Sequence, residues 1–315
     1  MATAARTIEN LPSARIPKGL TIRRRGESLE TVVLKTSQMK LLSSQAHLEI
    51  VELSLERDTR LTLTPESEAV ETFYILSGQF SCMSSSGPYL IEKDDCIVAQ
   101  ALAEPTILTA LTDVCLIYTT TKPQFHVVIE HFQQLRKLAV DIEMKDGYTA
   151  DHCDRLLELS FATGRELGLS SRELHRLEFG AYFHDVGKIH IPLSILNKPS
   201  KLTSSEWEIV KRHPTSGRKL LKDTLMESAG QIVEQHHERM DGSGYPYGLS
   251  GEEVLIEASI IAVADTYDAM TTNRPYRRAL SQDIALGEIQ RYTNIHYSEE
   301  VIKAFISALK KTEPA

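Results

Sequence analysis

The sequence lacks any long apolar run. Its hydrophobic stretches, such as Ala258 to Ala264, stop at about seven residues, far short of the ~20 that a bilayer-spanning helix needs, which excludes a transmembrane segment. The N-terminal stretch MATAARTIENLPSARIPKGL has no apolar core of the ~7–15 residues found in a secretory leader, so export by that route is not expected. Cysteine is scarce: Cys82, Cys96, Cys115 and Cys153 lie far apart without a CxxC or CxxxC pair. That argues against a zinc knuckle or a disulfide framework and suits reduced, mostly core thiols in a cytoplasmic protein. Nor is there an excess of positive charge. Thirty-five Lys and Arg against 43 Asp and Glu give a net charge of −8, which disfavours duplex nucleic acid as a partner but leaves room for a small anion held locally.

What is present is enough apolar material for real cores, 42% of 315 residues with 25% charged. At ~150 residues per domain this suggests two domains, and the pattern changes part-way along the chain. Residues 1–40 hold eight Lys and Arg against three Glu, with little periodicity, and read as a basic lead-in. Residues 41–125 carry short alternating runs such as HLEIVELSLE, ETFYILSGQFSCM and TILTALTDVCLIYTTT, separated by turn residues at roughly 8–14 residue spacing. They predict an all-β sandwich or barrel. After Pro123 the period becomes helical. A connecting helix over 126–145 places Val127, Val128, His131, Phe132, Leu135, Leu138 and Ala139 on one stripe. From 146 to 315 a bundle of about seven helices is expected, with Ser170-Ser171, Thr203 (followed by Glu206), Ser281 and Ser298 as N-caps and Gly168 as a stop.

Of eleven histidines, those in the helical half sit in motif-like settings: His152 opening a helix, His184 beside Asp185 in HDVGK, His213 before Pro214, and His236-His237 within a predicted helix, with Asp265 in VAD. Five imidazoles and two carboxylates drawn from several helices are the donors from which a bundle builds a dinuclear site, Asp185 being the candidate bridge. Isolated histidines such as His47, His126, His175 and His190 read as ordinary surface or core residues.

The ordered string DGYTADH (146–152), HDVGKIHIP (184–192), ILNKPSKLTSSEWEIVKRHP (195–214), HHERMDGSGYP (236–246) and VADTYDAMTTNRPYR (263–277) resembles an HD-GYP domain, the branch of the HD phosphohydrolase superfamily associated with cyclic di-GMP hydrolysis. The resemblance covers about half of the chain. It implies a metal-dependent phosphodiesterase yielding pGpG, with GMP as the further product. Two divalent transition-metal ions are implied, Fe or Mn foremost with other metals left open: one held by His152, His184, Asp185 and Asp265, the other by Asp185, His213, His236 and His237. Lys188 matches the lysine that assists the phosphate or nucleophile. Gly244, Tyr245 and Pro246 match the GYP triplet, with Tyr245 offering a ring to guanine, and Asp146, Arg274 and Arg277 match ligand-contacting positions. Tyr148 stands where some members place a glutamate for a third metal, which favours two ions.

The N-terminal half resembles a small cupin-like jelly roll, with Glu71 and Gly78 in ETFYILSG echoing part of a cupin motif. No histidine lies near Glu71, so no metal is expected there, and ALAEPTILTAL lacks the arginine that a cyclic-nucleotide barrel needs. The expected whole is multidomain α and β: a cupin-like barrel, then an all-α HD-GYP bundle. A small-molecule effector on the barrel, a homodimer through the barrel or connecting helix, another nucleotide substrate, and a non-catalytic cyclic di-GMP receptor are the alternatives left open.

Overall fold

The computed structural model describes residues 23–24, 26–34, 36–64, 68–84, 87–123, 125–145, 151–224, 226–273 and 278–312. The lead-in up to residue 22 and the candidates Asp146, Tyr148, Arg274 and Arg277 therefore lie outside the described residues.

Ten strands come first: β1 (Glu30–Val33), β2 (Ser37–Gln45), β3 (Leu48–Leu55), β4 (Arg60–Leu63), β5 (Glu71–Ser77), β6 (Phe80–Ser84), β7 (Gly87–Ile91), β8 (Cys96–Ala99), β9 (Thr106–Ala110) and β10 (Val114–Thr120). They form a six-stranded sheet, β1-β2-β3-β10-β5-β8, and a four-stranded sheet, β4-β9-β6-β7. Every pairing is antiparallel. In β3, Glu49, Val51, Leu53 and Leu55 alternate inward, the period-2 signature of a half-buried strand. The inward faces close on Leu41, Ile75, Phe80, Leu108 and Leu116, all but sealed from solvent, as the expected jelly-roll barrel requires. One boundary differs from the sequence reading, because β1 and the start of β2 fall inside the supposed lead-in. β1 is a four-residue edge strand with a single buried apolar residue, Val32, so it left no alternation to read. The cysteines differ too: Cys153 is buried, Cys82 and Cys115 are half-buried and Cys96 is exposed. Cys96 stands in β8, which pairs with one neighbour only and ends the larger sheet.

Helix α1 (Phe125–Lys145) follows, as the 3.6 period predicts. Its first turns and its last turns enter different cores. Phe125 and Ile129 pack with the barrel, whereas Ala139 and Ile142 pack with Tyr182, Phe183, Val186 and Val233 of the helical half. Buried Glu49 of β3 accepts a hydrogen bond from the Phe125 amide at 3.0 Å, satisfying one of the helix's orphan donors from the barrel side.

The helical half contains α2 (His152–Glu166), α3 (Ser171–Phe183), α4 (Leu193–Leu196), α5 (Ser204–Val210), α6 (His213–Leu221), α7 (Gly230–Gln235), α8 (Ile256–Thr271), α9 (Gln282–Arg291) and α10 (Glu299–Thr312), with short 3-10 turns including Val186–His190. The described residues thus hold nine helices where about seven were expected, since α4 and α7 are too short to display a period. Ser170 with Glu173 and Thr203 with Glu206 form the reciprocal capping boxes that start α3 and α5. Helix α8, apolar from Ile260 to Ala264, is the bundle's centre, against which Leu156, Leu177, Ile232, Ile289 and Phe305 pack. Among the described residues no helix is long and apolar enough to cross a membrane.

Candidate metal centre

Most of the candidate ligands stand where a helix begins or ends, so the backbone is fixed while the side chain turns into the bundle. His152 is the first residue of α2, His184 caps the end of α3, Asp185 opens the 3-10 turn, His213 starts α6, and His236 caps the end of α7 with His237 next. The paired histidines therefore end a helix rather than sit inside one, because the Gly-rich loop after them diverts the chain. Asp265 projects from within α8.

The seven side chains converge in two groups, Asp185 with His213, His236 and His237, and His152 with His184 and Asp265. Within each group the candidate donor atoms lie within 4.8 Å of one another. Asp185 reaches both. Its Oδ1 lies 3.1 Å from His213 Nε2 and 3.7 Å from His236 Nε2, while its Oδ2 lies 3.1 Å from His184 Nε2. His152 Nε2 stands 3.7 Å from Asp265 Oδ1.

The outer nitrogens fix the rings. Nδ1 of His184, His213 and His236 lies 3.0, 2.8 and 2.6 Å from the carbonyls of Ala181, Val210 and Val233, each three residues back. A carbonyl only accepts, so each Nδ1 carries the proton and each Nε2 turns an unprotonated lone pair inward. Burial lowers His236 to about 4, helped by the neighbouring His213 and His184 and opposed by Asp185, and burial carries His237 well below the usual imidazole value. Both are neutral near pH 7, the form that ligates a cation. Burial works to raise the Asp185 carboxyl, but the charge of Lys188 and the neighbouring His184 outweigh it and hold the group well below the ordinary carboxylate range. Lys188 Nζ lies 2.7 Å from Asp185 Oδ2. Asp185 Oδ1 and Asp265 Oδ1 are buried and accept no hydrogen bond among the described residues. Neutral imidazoles around buried, under-satisfied carboxylate oxygens fit a divalent cation and fit little else.

Two residues that sequence reasoning missed hold this geometry. A Cβ at Gly187 would lie 2.0 Å from His213 O and 2.5 Å from Gly217 N, so only glycine lets the turn after Asp185 lie directly on the start of α6. The position was visible within HDVGK; its partner, distant in sequence, was not. The second is Asp268, 3% exposed on α8. Its Oδ2 accepts from His152 Nδ1 at 2.7 Å, and Arg155 donates to Oδ1 at 2.6 Å and Oδ2 at 2.9 Å. Burial works against that carboxylate, but the hydrogen bonds from His152 and Arg155 bring its pKa down to about 2. The i, i+3 relation to Asp265 places both acids on one helix face and was the signal that could have found it.

The GYP triplet is packed more tightly than a free ligand-gripping loop. A Cβ at Gly244 would lie 2.5 Å from Glu238 Cα and 2.6 Å from His237 O, so the loop is laid on the backbone that carries the paired histidines. The Tyr245 ring stacks on His237 at 4.7 Å and meets Trp207 edge-on at 5.9 Å. Tyr245 therefore braces a candidate ligand as well as bordering the site, joining the two readings that the sequence allowed, a ring for guanine and a tight loop packed on the bundle. Glu238, 2% exposed, accepts from the amides of Tyr247 and Leu249 and closes the far side of the loop.

The sequence profile of the HD domain family matches residues 134–301, the span that carries all seven candidate ligands. The chain belongs to the HD domain family. Its resemblance to the HD-GYP branch is borne out by three relatives. The cyclic di-GMP phosphodiesterase response regulator RpfG of Xanthomonas campestris is 44% identical over 49% of this HD domain protein and 42% of its own length. A cyclic di-GMP phosphodiesterase of Thermotoga maritima is 39% identical over 57% of this chain and 50% of its own. The 3'3'-cGAMP-specific phosphodiesterase 3 of Vibrio cholerae is 30% identical over 72% of this chain and 51% of its own. The HD domain protein thus spans about half the length of the curated relatives it matches.

Proposed function

We propose that this HD domain protein is a cytoplasmic, metal-dependent phosphodiesterase that opens cyclic di-GMP to linear pGpG, with GMP as the further product, and that the N-terminal barrel regulates it. Asp185 carries the proposal. One carboxylate with its two oxygens turned to two histidine groups supports a pair of divalent ions. His152, His184, Asp185 and Asp265 would hold one ion and Asp185, His213, His236 and His237 the other, and imidazole with carboxylate suits Fe or Mn. Bound there, such ions supply acidified water and charge neutralisation at the phosphate.

The chain's own groups supply orientation and fixed charge. The carbonyl-anchored histidines keep their lone pairs aimed without reorganisation, and Lys188 keeps an ammonium at the edge of the ligand set, where a phosphate oxygen would lie. Tyr245 borders the same space beside His237. Asp146, Arg274 and Arg277 would complete the substrate side on sequence alone, the guanidinium groups of the two arginines suited to forked contacts with phosphate or guanine.

The test is turnover by the purified chain, loaded with Mn or anaerobically with Fe(II), offered cyclic di-GMP and 3',3'-cGAMP in parallel, beside Asp185→Ala. Product from cyclic di-GMP that disappears in the variant is expected. Tight binding of intact dinucleotide without product would replace the enzyme by a receptor. Preferential cleavage of 3',3'-cGAMP would move the specificity toward the Vibrio relative, which matches the largest share of this chain among the three.

A further inference from the structure

Between the barrel and the α2–α3 face lies a cavity of about 1970 Å³. Its floor is barrel, including Leu61, Leu63 and Phe73; its roof is helical. On α3 the lining residues are Arg172, His175, Arg176, Phe179, Tyr182 and Phe183, an i, i+3, i+4, i+7 stripe that is basic at its start and aromatic at its end. Over that stretch the helix rises by ~16 Å. The basic end lies at the α2–α3 turn, and the aromatic end adjoins His184. Nine Lys and Arg against seven Asp and Glu line the cavity, a positive balance in a chain whose net charge is −8.

The cations are not equivalent. Arg60 holds Glu158 and Glu178, Arg136 faces Asp154, Arg155 holds Asp268 and Arg176 holds Glu257. Arg165 and Arg172, on either side of the α2–α3 turn, form no salt bridge among the described residues: Arg165 acts only at a distance on the neighbouring Glu166, which pairs with Lys311, and Arg172 donates to the Ala103 carbonyl at 3.1 Å. Half-buried His175 beside them touches Phe179 and has no hydrogen-bond partner among the described residues. At the opposite end the cavity is lined by Arg155, Asp268 and Thr272, and Asp268 holds His152.

We propose that this cavity is an effector site for an amphipathic organic anion. The head group lies against Arg165 and Arg172, the apolar body runs along Phe161, Phe179 and Tyr182, and occupancy acts on the metal centre through Arg155, Asp268 and His152. Sites of this kind favour domain junctions and combine an apolar wall with few polar anchors. The inference rests on the proposed regulatory role of the barrel and gives that role a place and a ligand class.

The probe is 8-anilinonaphthalene-1-sulfonate with the full chain, set against its uncharged analogue N-phenyl-1-naphthylamine. Fluorescence titration should show one saturable site that raises the melting temperature. It should weaken about tenfold for the neutral analogue and for Arg172→Glu, the loss of one charged contact. It should vanish in Ala162→Trp, which fills the cavity from α2. Saturating probe should shift the Mn(II) dissociation constant about fivefold or more, the size of an ordinary coupling. Equal binding of the neutral analogue, or unaltered binding in Ala162→Trp, overturns the site. Saturable binding with an unchanged Mn(II) constant overturns the coupling. Neither readout needs turnover, so a failure of the phosphodiesterase reading would appear separately.

Discussion

Gly187→Ala adds one methyl group and tests how the candidate metal centre is assembled. The new Cβ would lie 2.0 Å from His213 O, 2.5 Å from Gly217 N and 2.9 Å from His213 C, all backbone atoms of α6 that cannot rotate away. Relief therefore requires the turn carrying Asp185 to separate from the helix carrying His213 by more than ~1 Å, an overpacking strain of about 1–3 kcal/mol. The same displacement opens the 3.1 Å approach of Asp185 Oδ1 to His213 Nε2. A misplacement of about 1 Å at a reacting centre can lower rate by ~10²-fold. Metal content by mass spectrometry after dialysis, Mn(II) titration and cyclic di-GMP turnover should fall together, with melting temperature lowered only modestly. Gly287→Ala is the control: its site in α9 has nothing within 4 Å, so that variant should be neutral or gain up to ~1 kcal/mol. If Gly187→Ala keeps its metal content and loses less than threefold in turnover, close contact between the turn and α6 is not what sets the site.

Asp268→Asn should weaken Mn(II) binding by about 10–100-fold, the usual effect of removing a carboxylate behind a ligating histidine, and Mn(II) titration of the folded variant checks it. Arg60→Ala should destabilise the chain by ~3 kcal/mol, because Glu178 then stays largely buried without its guanidinium. Burial already raises the Glu178 carboxyl despite Arg60, so the intact pair fastens barrel to helices more than it adds stability, and the exposed Glu158 contact contributes little. Denaturant melts and proteolysis after Thr121 read this out; an unchanged midpoint would refute it. Glu206 is lowered to about 2 by Lys198 and the Thr203 cap. Its contribution is therefore full above the ordinary glutamate value and fades as pH falls toward 2. Wild type and Glu206→Gln should differ in melting temperature at pH 6 and converge near pH 2.

The parts of the fold and candidate site that could be read from the sequence were those governed by neighbours in the chain. Alternation in β3, the reciprocal caps at Ser170 and Thr203, and the positive-φ stop at Gly168 involve residues within a few positions of one another. The candidate donors were named from adjacent pairs and from the HD-GYP resemblance, but that His236-His237 ends α7 rather than lying inside a helix was not legible, because α7 is only six residues long. What stayed hidden depends on contacts far apart in sequence. Gly187 needs α6 to explain it, Asp268 needs α2, and the Arg60–Glu178 clasp joins a strand to a helix 118 positions away. The edge strand β1, with one buried side chain, carried too little pattern to separate it from the basic segment before it.

Helix α1 gives apolar side chains to the barrel at one end and to the bundle at the other. A fragment that starts at residue 126 would leave Ile129 uncovered, and one that stops at residue 124 would take Phe125 and Ile129 from the barrel. Neither half is then a clean building block. Calorimetry of the intact chain should record one shared endotherm instead of two, and a chimera that replaces the barrel will need a substitute surface for the first turns of that helix.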